Sequence, residues 1–211
     1  MNEHAAREHL ARLGAALYAR GLAPGSSGNL SVRIGHGYLV TPTNSCLGRL
    51  DPAAISKLDA GGRPVSGDPP SKEAVLHLSV YGARPSSGAV VHLHSPYAVA
   101  LSCLADVDPA DVLPAITPYY VMRVGTLPLV PYHRPGDRAL ADAVGSVMGT
   151  HSAALLANHG SVVAGASLDE AVYAAEELEE TAKLFFVLRG CATRYLTAGQ
   201  IAELHRTFPR V

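Results

Sequence analysis

The alternation of apolar and polar positions along the chain predicts helices separated by short strands. Leu10, Leu13 and Leu17 recur at helical spacing and Gly21 follows them, which predicts a helix over residues 3–20. Short runs rich in Val, Leu, Ile and Ala predict strands instead. These runs cover residues 29–34, 38–41, 89–94, 127–131, 153–157 and 161–164.

Further helices are predicted between and after these strands, each preceded by a residue that can cap its N-terminus. They cover residues 71–82, 137–148 and 167–190, and a short last helix begins at residues 197–200. Ser167 and Glu170 have the spacing of a capping box. The acidic run EELEE, residues 176–180, is interpreted as a solvated helix face. Strands joined in some places by helices and in others by a tight turn predict a mixed sheet with helices on its faces.

Two histidines interrupt the apolar strand AVVHLH, residues 89–94. Side chains two apart on a strand share one face, so His92 and His94 are predicted side by side. Polar groups satisfied within a core are an equally good interpretation of these two residues alone. A third histidine, His159, lies between two apolar strands in NHG, where Asn and Gly favour a hairpin turn. Three neutral imidazoles with an open fourth position are typical of a catalytic zinc site.

Glu73 is a candidate for proton transfer beside such a metal. Its place in the first turn of a predicted helix also fits simple stabilisation by the helix dipole. His77, on the same helix, is interpreted as a packed helix residue. The loop GLAPGSSGNLSVR, residues 21–33, could hold an anion through its backbone amides and its Ser and Asn side chains. An ordinary connection between a helix and a strand would look similar.

Composition narrows the class of protein. A chain of 211 residues can form one sizeable core, so a single domain over residues 1–211 is predicted. A net charge of -1 indicates no nucleic-acid or anionic-lipid partner. Three separated cysteines favour a reducing compartment, and no apolar run is long enough to cross a membrane, so a cytoplasmic protein is predicted. The low charged fraction, 17%, suggests that some apolar surface is covered by a second copy.

The motifs GSSGNLSVR, TPTNS, SKE, HLHS and ANHG follow one another along nearly the whole chain. Together they resemble the class II aldolase/adducin family, whose best-known enzyme is fuculose-phosphate aldolase. The segments LGRLDP, SKEAVLH, VVHLHSPYAVALSCL, TPYYVMRVG, YHRPGD and EELEETAKL resemble one branch, the 3-oxo-tetronate 4-phosphate decarboxylases. The resemblance implies a single-domain α/β fold with three layers, αβα, around a mixed and largely antiparallel sheet.

The resemblance also implies roles for individual residues. The metal ligands correspond to His92, His94 and His159, with Zn2+ expected and Mn2+ or Co2+ also possible. The catalytic residues correspond to Glu73, as acid and base, and to Tyr120 or its neighbour Tyr119, as a tyrosine at a subunit interface. The phosphate-binding positions correspond to Ser26, Gly28, Asn29, Thr43, Asn44 and Ser71. Lys72 replaces a serine found in many aldolases and adds a positive charge for phosphate or carboxylate.

The activity implied by the resemblance is decarboxylation of a 3-oxo-tetronate 4-phosphate to dihydroxyacetone phosphate and CO2, through a metal-stabilised enediolate. An aldolase or epimerase that acts on a sugar phosphate such as fuculose 1-phosphate is the alternative, because an aldolase makes the same enediolate by releasing an aldehyde. A non-catalytic scaffold, as in adducin, is less favoured because the chain keeps all three histidines and the glutamate. A homotetramer with active sites between subunits is expected.

Overall fold

One eight-stranded sheet runs through the part of the chain that the computed structural model describes, residues 2–208. Its strands are β1 (Asn29–Ile34), β2 (Gly37–Val40), β3 (Ser56–Asp59), β4 (Pro64–Ser66), β5 (Ala89–Leu93), β6 (Leu129–Val130), β7 (Ala153–Leu156) and β8 (Gly160–Gly165). Their order across the sheet is β4-β3-β2-β1-β5-β8-β7-β6. Neighbours pair antiparallel except β6 and β7, which run parallel. The prediction of a mixed, largely antiparallel sheet is confirmed.

Helices cover both faces of this sheet. They are α1 (Glu3–Ala19), α2 (Ala74–Ala83), α3 (Pro96–Ser102), α4 (Pro118–Arg123), α5 (Arg138–Met148), α6 (Leu168–Leu188) and α7 (Ala198–Thr207). The side chains of β5 alternate between two cores: Val90 packs with α2 and α5, and Val91 with α1, α3, α4 and α6. The fold therefore has three layers. Within residues 2–208 no helix has the length and apolar character needed to cross a bilayer.

Several elements differ from the sequence prediction. The short elements β3, β4, α3 and α4 were not predicted, because each is too brief to show a periodic pattern. Helix α2 begins at Ala74, later than predicted, and Ser71 is not its N-cap residue. The Ser71 hydroxyl instead accepts a hydrogen bond from the Glu73 amide at 3.2 Å, which places Glu73 itself at the N-cap. Ser167 caps α6 as predicted, but the Glu170 carboxylate accepts from the Ala166 amide and not from Ser167.

The acidic run in α6 is not wholly solvated, because Glu179 is only 4% exposed. Its carboxylate accepts hydrogen bonds from the Ser95 hydroxyl at 2.7 Å and from the amides of Tyr97 and Ala98 at 2.8 Å. These donors form the N-terminus of α3, where unpaired amides favour a negative charge. A residue of α6 thus caps α3, and the interpretation of the whole run as a solvated face is wrong at this position.

Helix α3 connects the segments that carry two of the candidate metal ligands. Its N-terminus directly follows His94, and Ser102 is its last residue. The Ser102 hydroxyl accepts from the His159 amide at 3.2 Å, and its carbonyl accepts from the Asn158 amide at 3.1 Å. Glu179 therefore fixes a helix that holds His94 at one end and the hairpin of His159 at the other.

The cap at α3 gives a prediction about stability. Glu179→Ala leaves three donors without an acceptor, two of them buried, so the free energy of unfolding should fall by about 2–4 kcal/mol in urea denaturation. The matched control is Glu180→Ala in the same acidic run, because the Glu180 side chain is 68% exposed. That control should change the stability by less than about 0.5 kcal/mol. Equal losses in the two variants would show that the cap contributes little.

Candidate metal centre and phosphate cavity

Three imidazoles and one carboxylate meet where β5 ends. His92 lies in β5 and His94 follows its last residue, while His159 lies in the tight turn between β7 and β8, as the sequence predicted. Pairing of β5 with β8 brings this turn beside the end of β5. The ring centroids of the three histidines are 4.7–4.9 Å apart. Together with Glu73 they offer ligand atoms that all lie within 4.8 Å of one another.

The orientation of His92 is fixed by its hydrogen bond to the backbone. Its Nδ1 lies 2.8 Å from the carbonyl oxygen of Ser161, which can only accept, so Nδ1 carries the proton. Nε2 of the same ring then faces the cluster, 3.0 Å from Nε2 of His94. Burial, followed by the neighbouring His92 and His159, lowers the pKa of His94 to about 4. The His94 ring is therefore neutral near neutral pH and can bind a metal through a lone pair.

The cluster contains buried polar atoms that lack protein partners. Neither ring nitrogen of His159 makes a hydrogen bond within residues 2–208, and neither does Oε1 of Glu73. The Nε2 of His159 and Oε1 of Glu73 are 3.3 Å apart. Buried polar groups without a partner are strongly destabilising. A cation between Nε2 of His159 and Oε1 of Glu73 would give both atoms a partner. Imidazole nitrogens with one carboxylate fit a divalent transition metal better than magnesium or calcium.

Glu73 is held at the edge of the cluster. Its Oε2 accepts a hydrogen bond from the Asn29 side-chain amide at 2.9 Å and lies 3.3 Å from Nε2 of His92. Burial favours the neutral acid, but His92, His159 and the Asn29 amide outweigh this effect and lower the pKa of Glu73. The carboxyl group is therefore ionised in this arrangement. A carboxylate so placed can approach a metal or exchange a proton beside it.

A polar cavity of about 150 Å³ adjoins the cluster, with Glu73 in its wall. The predicted phosphate-binding positions all line this cavity: Ser26, Gly28, Asn29, Thr43, Asn44, Ser71 and also Lys72. Gly28 has a φ of 76°, and a Cβ at this position would lie 3.0 Å from the carbonyl oxygen of His92. Only glycine allows the loop this close to β5. Hydroxyls, amides and one lysine give the cavity the character of an anion site.

Other parts of the chain also reach the cavity or the cluster. Pro135, from the segment YHRPGD, lines the cavity, although the sequence predicted no site residue there. The neighbouring Gly136 lies close to Lys72, since a Cβ at Gly136 would be 3.4 Å from that of Lys72. Glu179 was also missed. The available signal was helical spacing, because Glu179 lies four residues after Ala175 and three before Ala182, and both alanines are buried.

The structure does not support Tyr120 as a tyrosine at a subunit interface. Its ring is 1% exposed and packs in the core on the α4 and α6 side of the sheet. Tyr119 is 60% exposed and therefore able to contact a second subunit. These two neighbours are hard to distinguish by sequence, although they lie on different faces of one helical turn.

Comparison with known proteins agrees with this geometry. The sequence profile described as the Class II Aldolase and Adducin N-terminal domain matches residues 8–186. A protein of Escherichia coli K12 named 3-oxo-tetronate 4-phosphate decarboxylase is 52% identical over 203 residues, 96% of each chain. The L-fuculose phosphate aldolase of Haemophilus influenzae is 38% identical over 170 residues, 80% of this chain and 76% of that one.

A solved structure extends the likeness to the fold. An Escherichia coli protein, described as a candidate aldolase, epimerase or decarboxylase, has a TM-score of 0.94 and 51% identity. The match covers 96% of this chain and 98% of the solved one. Fold, motifs and sequence identity lead to the same conclusion: the chain belongs to the class II aldolase/adducin family.

Proposed function

We propose that this chain is a zinc-dependent decarboxylase that converts a 3-oxo-tetronate 4-phosphate to dihydroxyacetone phosphate and CO2. The observation that carries the proposal is the junction of the His92, His94 and His159 cluster with the anion cavity, where Glu73 belongs to both. The relatives that are 48–52% identical bear the name of this activity. Relatives named as aldolases are more distant, at 34–38% identity.

The cavity would hold the phosphate of the substrate. Its lining offers hydroxyl and amide donors, and the exposed ammonium of Lys72 adds a positive charge. A phosphate bound there leaves the rest of a four-carbon chain directed towards the histidines, because Glu73 lies in the shared wall. Binding at the phosphate end thus orients the reacting carbons beside the cluster.

The three imidazoles would hold the metal, and Glu73 would be able to move away from it to leave an open position. Zinc is favoured because three neutral imidazoles with one open position are its usual catalytic arrangement, although manganese or cobalt also fits such ligands. A divalent metal here supplies a Lewis acid that stabilises negative charge on a substrate oxygen.

Glu73 would supply the proton. When the bond to the carboxylate carbon breaks, CO2 leaves its electron pair on the remaining chain, and the carbon that lost CO2 must take up one proton. Glu73 is ionised at rest, so it first takes a proton from water and then delivers it to this carbon. One proton is consumed for each CO2 released, which balances the reaction.

Aldolase or epimerase action on a sugar phosphate is the second candidate. The same cluster could stabilise the charge left when an aldehyde departs, and the 38% identity to a fuculose phosphate aldolase supports this candidate. A non-catalytic scaffold is less favoured, because such a role gives no reason for a buried set of metal ligands.

We further propose a cytoplasmic homotetramer with active sites between its subunits. Its cysteines Cys46, Cys103 and Cys191 are all free, which suits a reducing compartment. Tyr119 is the exposed tyrosine that could reach the site of a neighbouring subunit.

The phosphate assignment predicts a selective loss of affinity in Thr43→Val. Thr43 lines the cavity, whereas Asn29 and Ser71 also bond to Glu73 and would confound the test. Loss of one donor to a charged phosphate should raise KM about tenfold to a hundredfold. KM for the dephosphorylated acid should not change. Thr150→Val is the matched control, since this exposed threonine follows the end of α5 remote from Pro135. Equal effects on both substrates would refute the assignment.

The proton-transfer assignment predicts a lower kcat in Glu73→Gln with phosphate affinity retained. A general acid–base group contributes about 10²–10⁴ in rate, so kcat for product formation should fall within that range. In D2O the unaltered enzyme should place one deuterium on the carbon that lost CO2, with a single stereochemistry. CO2 and triose phosphate are measured together. Release of an aldehyde without CO2 from the same acids would instead establish an aldolase, and random labelling would exclude Glu73 as the donor.

A further inference from the structure

We propose that His77 is a positioning residue that orients Glu73 through a buried chain of hydrogen bonds. The chain runs from Tyr81 through Ser31, His77 and Asn29 to the Glu73 carboxylate. This inference rests on the proton-transfer role proposed for Glu73. It assigns a function to a histidine that the sequence indicated only as a packed helix residue.

The spacing of these residues explains why they meet. Glu73, His77 and Tyr81 are four residues apart, so they follow one face of α2 and the turn before it. Asn29 and Ser31 are two apart on β1 and face the same side of the sheet. The side chains on this face of α2 therefore lie against those of Asn29 and Ser31 on β1.

Each contact in the chain is short. Tyr81 Oη is 2.9 Å from Ser31 Oγ, which is 2.7 Å from Nδ1 of His77. The other ring nitrogen of His77, Nε2, is 2.5 Å from Oδ1 of Asn29. The amide nitrogen of Asn29 is 2.9 Å from Oε2 of Glu73. His77 and Ser31 are fully buried and Asn29 is 5% exposed, so water cannot replace these partners.

The direction of every hydrogen bond follows from the orientation of the Asn29 side chain. Its NH2 group faces Glu73 and donates to Oε2, and its carbonyl oxygen faces His77 and can only accept. His77 must then donate from Nε2 and accept at Nδ1 from the Ser31 hydroxyl. The Ser31 oxygen in turn accepts from the Tyr81 hydroxyl. All four donors therefore point towards Glu73.

The ionisation behaviour of the two α2 residues agrees with this direction. Burial, and then the nearby His92, lowers the pKa of His77 to about 3, so the ring stays neutral and keeps one donor and one acceptor. Burial raises the pKa of Tyr81, so its hydroxyl remains a donor. The hydrogen bond from His77 therefore holds the Asn29 side chain in one orientation. Asn29 in turn holds the Glu73 carboxylate.

This arrangement makes His77 different from a residue that only fills the core. A core residue could be replaced by an apolar one of similar size with a loss of stability alone. If the Nε2–H of His77 fixes the orientation of the Asn29 amide, replacing His77 lets this amide rotate. The oxygen of Asn29 can then face the Glu73 carboxylate. The reaction rate should then fall even in correctly folded, metal-loaded protein.

The test compares His77→Leu with His77→Gln. Leu removes both ring nitrogens, whereas the Gln amide can still donate to Asn29 and accept from Ser31. His77→Leu should lower kcat about tenfold to a hundredfold, which is the usual effect of removing a residue that orients an active-site side chain through hydrogen bonds. KM should change less than kcat, and metal content should stay the same. His77→Gln should recover most of the rate.

Leu76→Ala is the matched control, because Leu76 is the buried neighbour on the same helix and packs in the core with α5. It should lower the free energy of unfolding without changing kcat of the folded enzyme. Unchanged kcat in His77→Leu, or a kcat loss in Leu76→Ala as large as in His77→Leu, would overturn the proposal.

A second measurement does not depend on catalysis. Nitrogen-15 NMR of the histidine rings should show His77 as the Nε2–H tautomer, with a ring proton shifted downfield and slow to exchange. Ser31→Ala should disturb this signal because it removes the donor to Nδ1. An Nδ1–H tautomer would overturn the proposal whatever the reaction is. An Nε2–H tautomer in a protein that forms no CO2 would support the hydrogen-bond chain and refute the proposed reaction.

Discussion

The packing of three imidazoles and a carboxylate, most of them buried, at one end of β5 is the constraint on which the rest of the site depends. Their ligand atoms lie within 4.8 Å of one another, and several have no hydrogen-bond partner among residues 2–208. So many lone pairs in a dehydrated space repel one another unless a cation is shared among them. A divalent metal bound there would make this cluster stabilising, and its binding would couple to folding.

Much of the surrounding structure holds these groups in place against that repulsion. On one side of the sheet, Glu179 caps α3, which connects the segments of His94 and His159. On the other side, the chain through His77 and Asn29 holds Glu73. The carbonyl of Ser161 fixes the ring of His92 from within the sheet. The candidate ligands are thus held from both sides of the sheet, and the anion cavity lies against the one carboxylate among them.

Local patterns were sufficient to predict the centre of this site. The period of a strand placed His92 beside His94, and a turn of Asn and Gly placed His159 at a hairpin. The supporting groups were harder to predict, because Glu179 and His77 act across the packing of α6 on α3 and of α2 on β1. Helical or strand periodicity in the sequence does not predict contacts between elements that are distant along the chain. The choice between Tyr119 and Tyr120 stayed open for a similar reason, since burial on one side of α4 depends on what packs there.

The metal content of the purified protein tests the central claim most directly. The unaltered chain should bind one divalent metal per subunit at neutral pH, and His159→Ala should lose it while remaining folded. His36→Ala, at an exposed turn between β1 and β2, should keep its metal. Full metal occupancy in His159→Ala, measured by elemental analysis, would contradict the account, because the hairpin histidine would then not be a ligand.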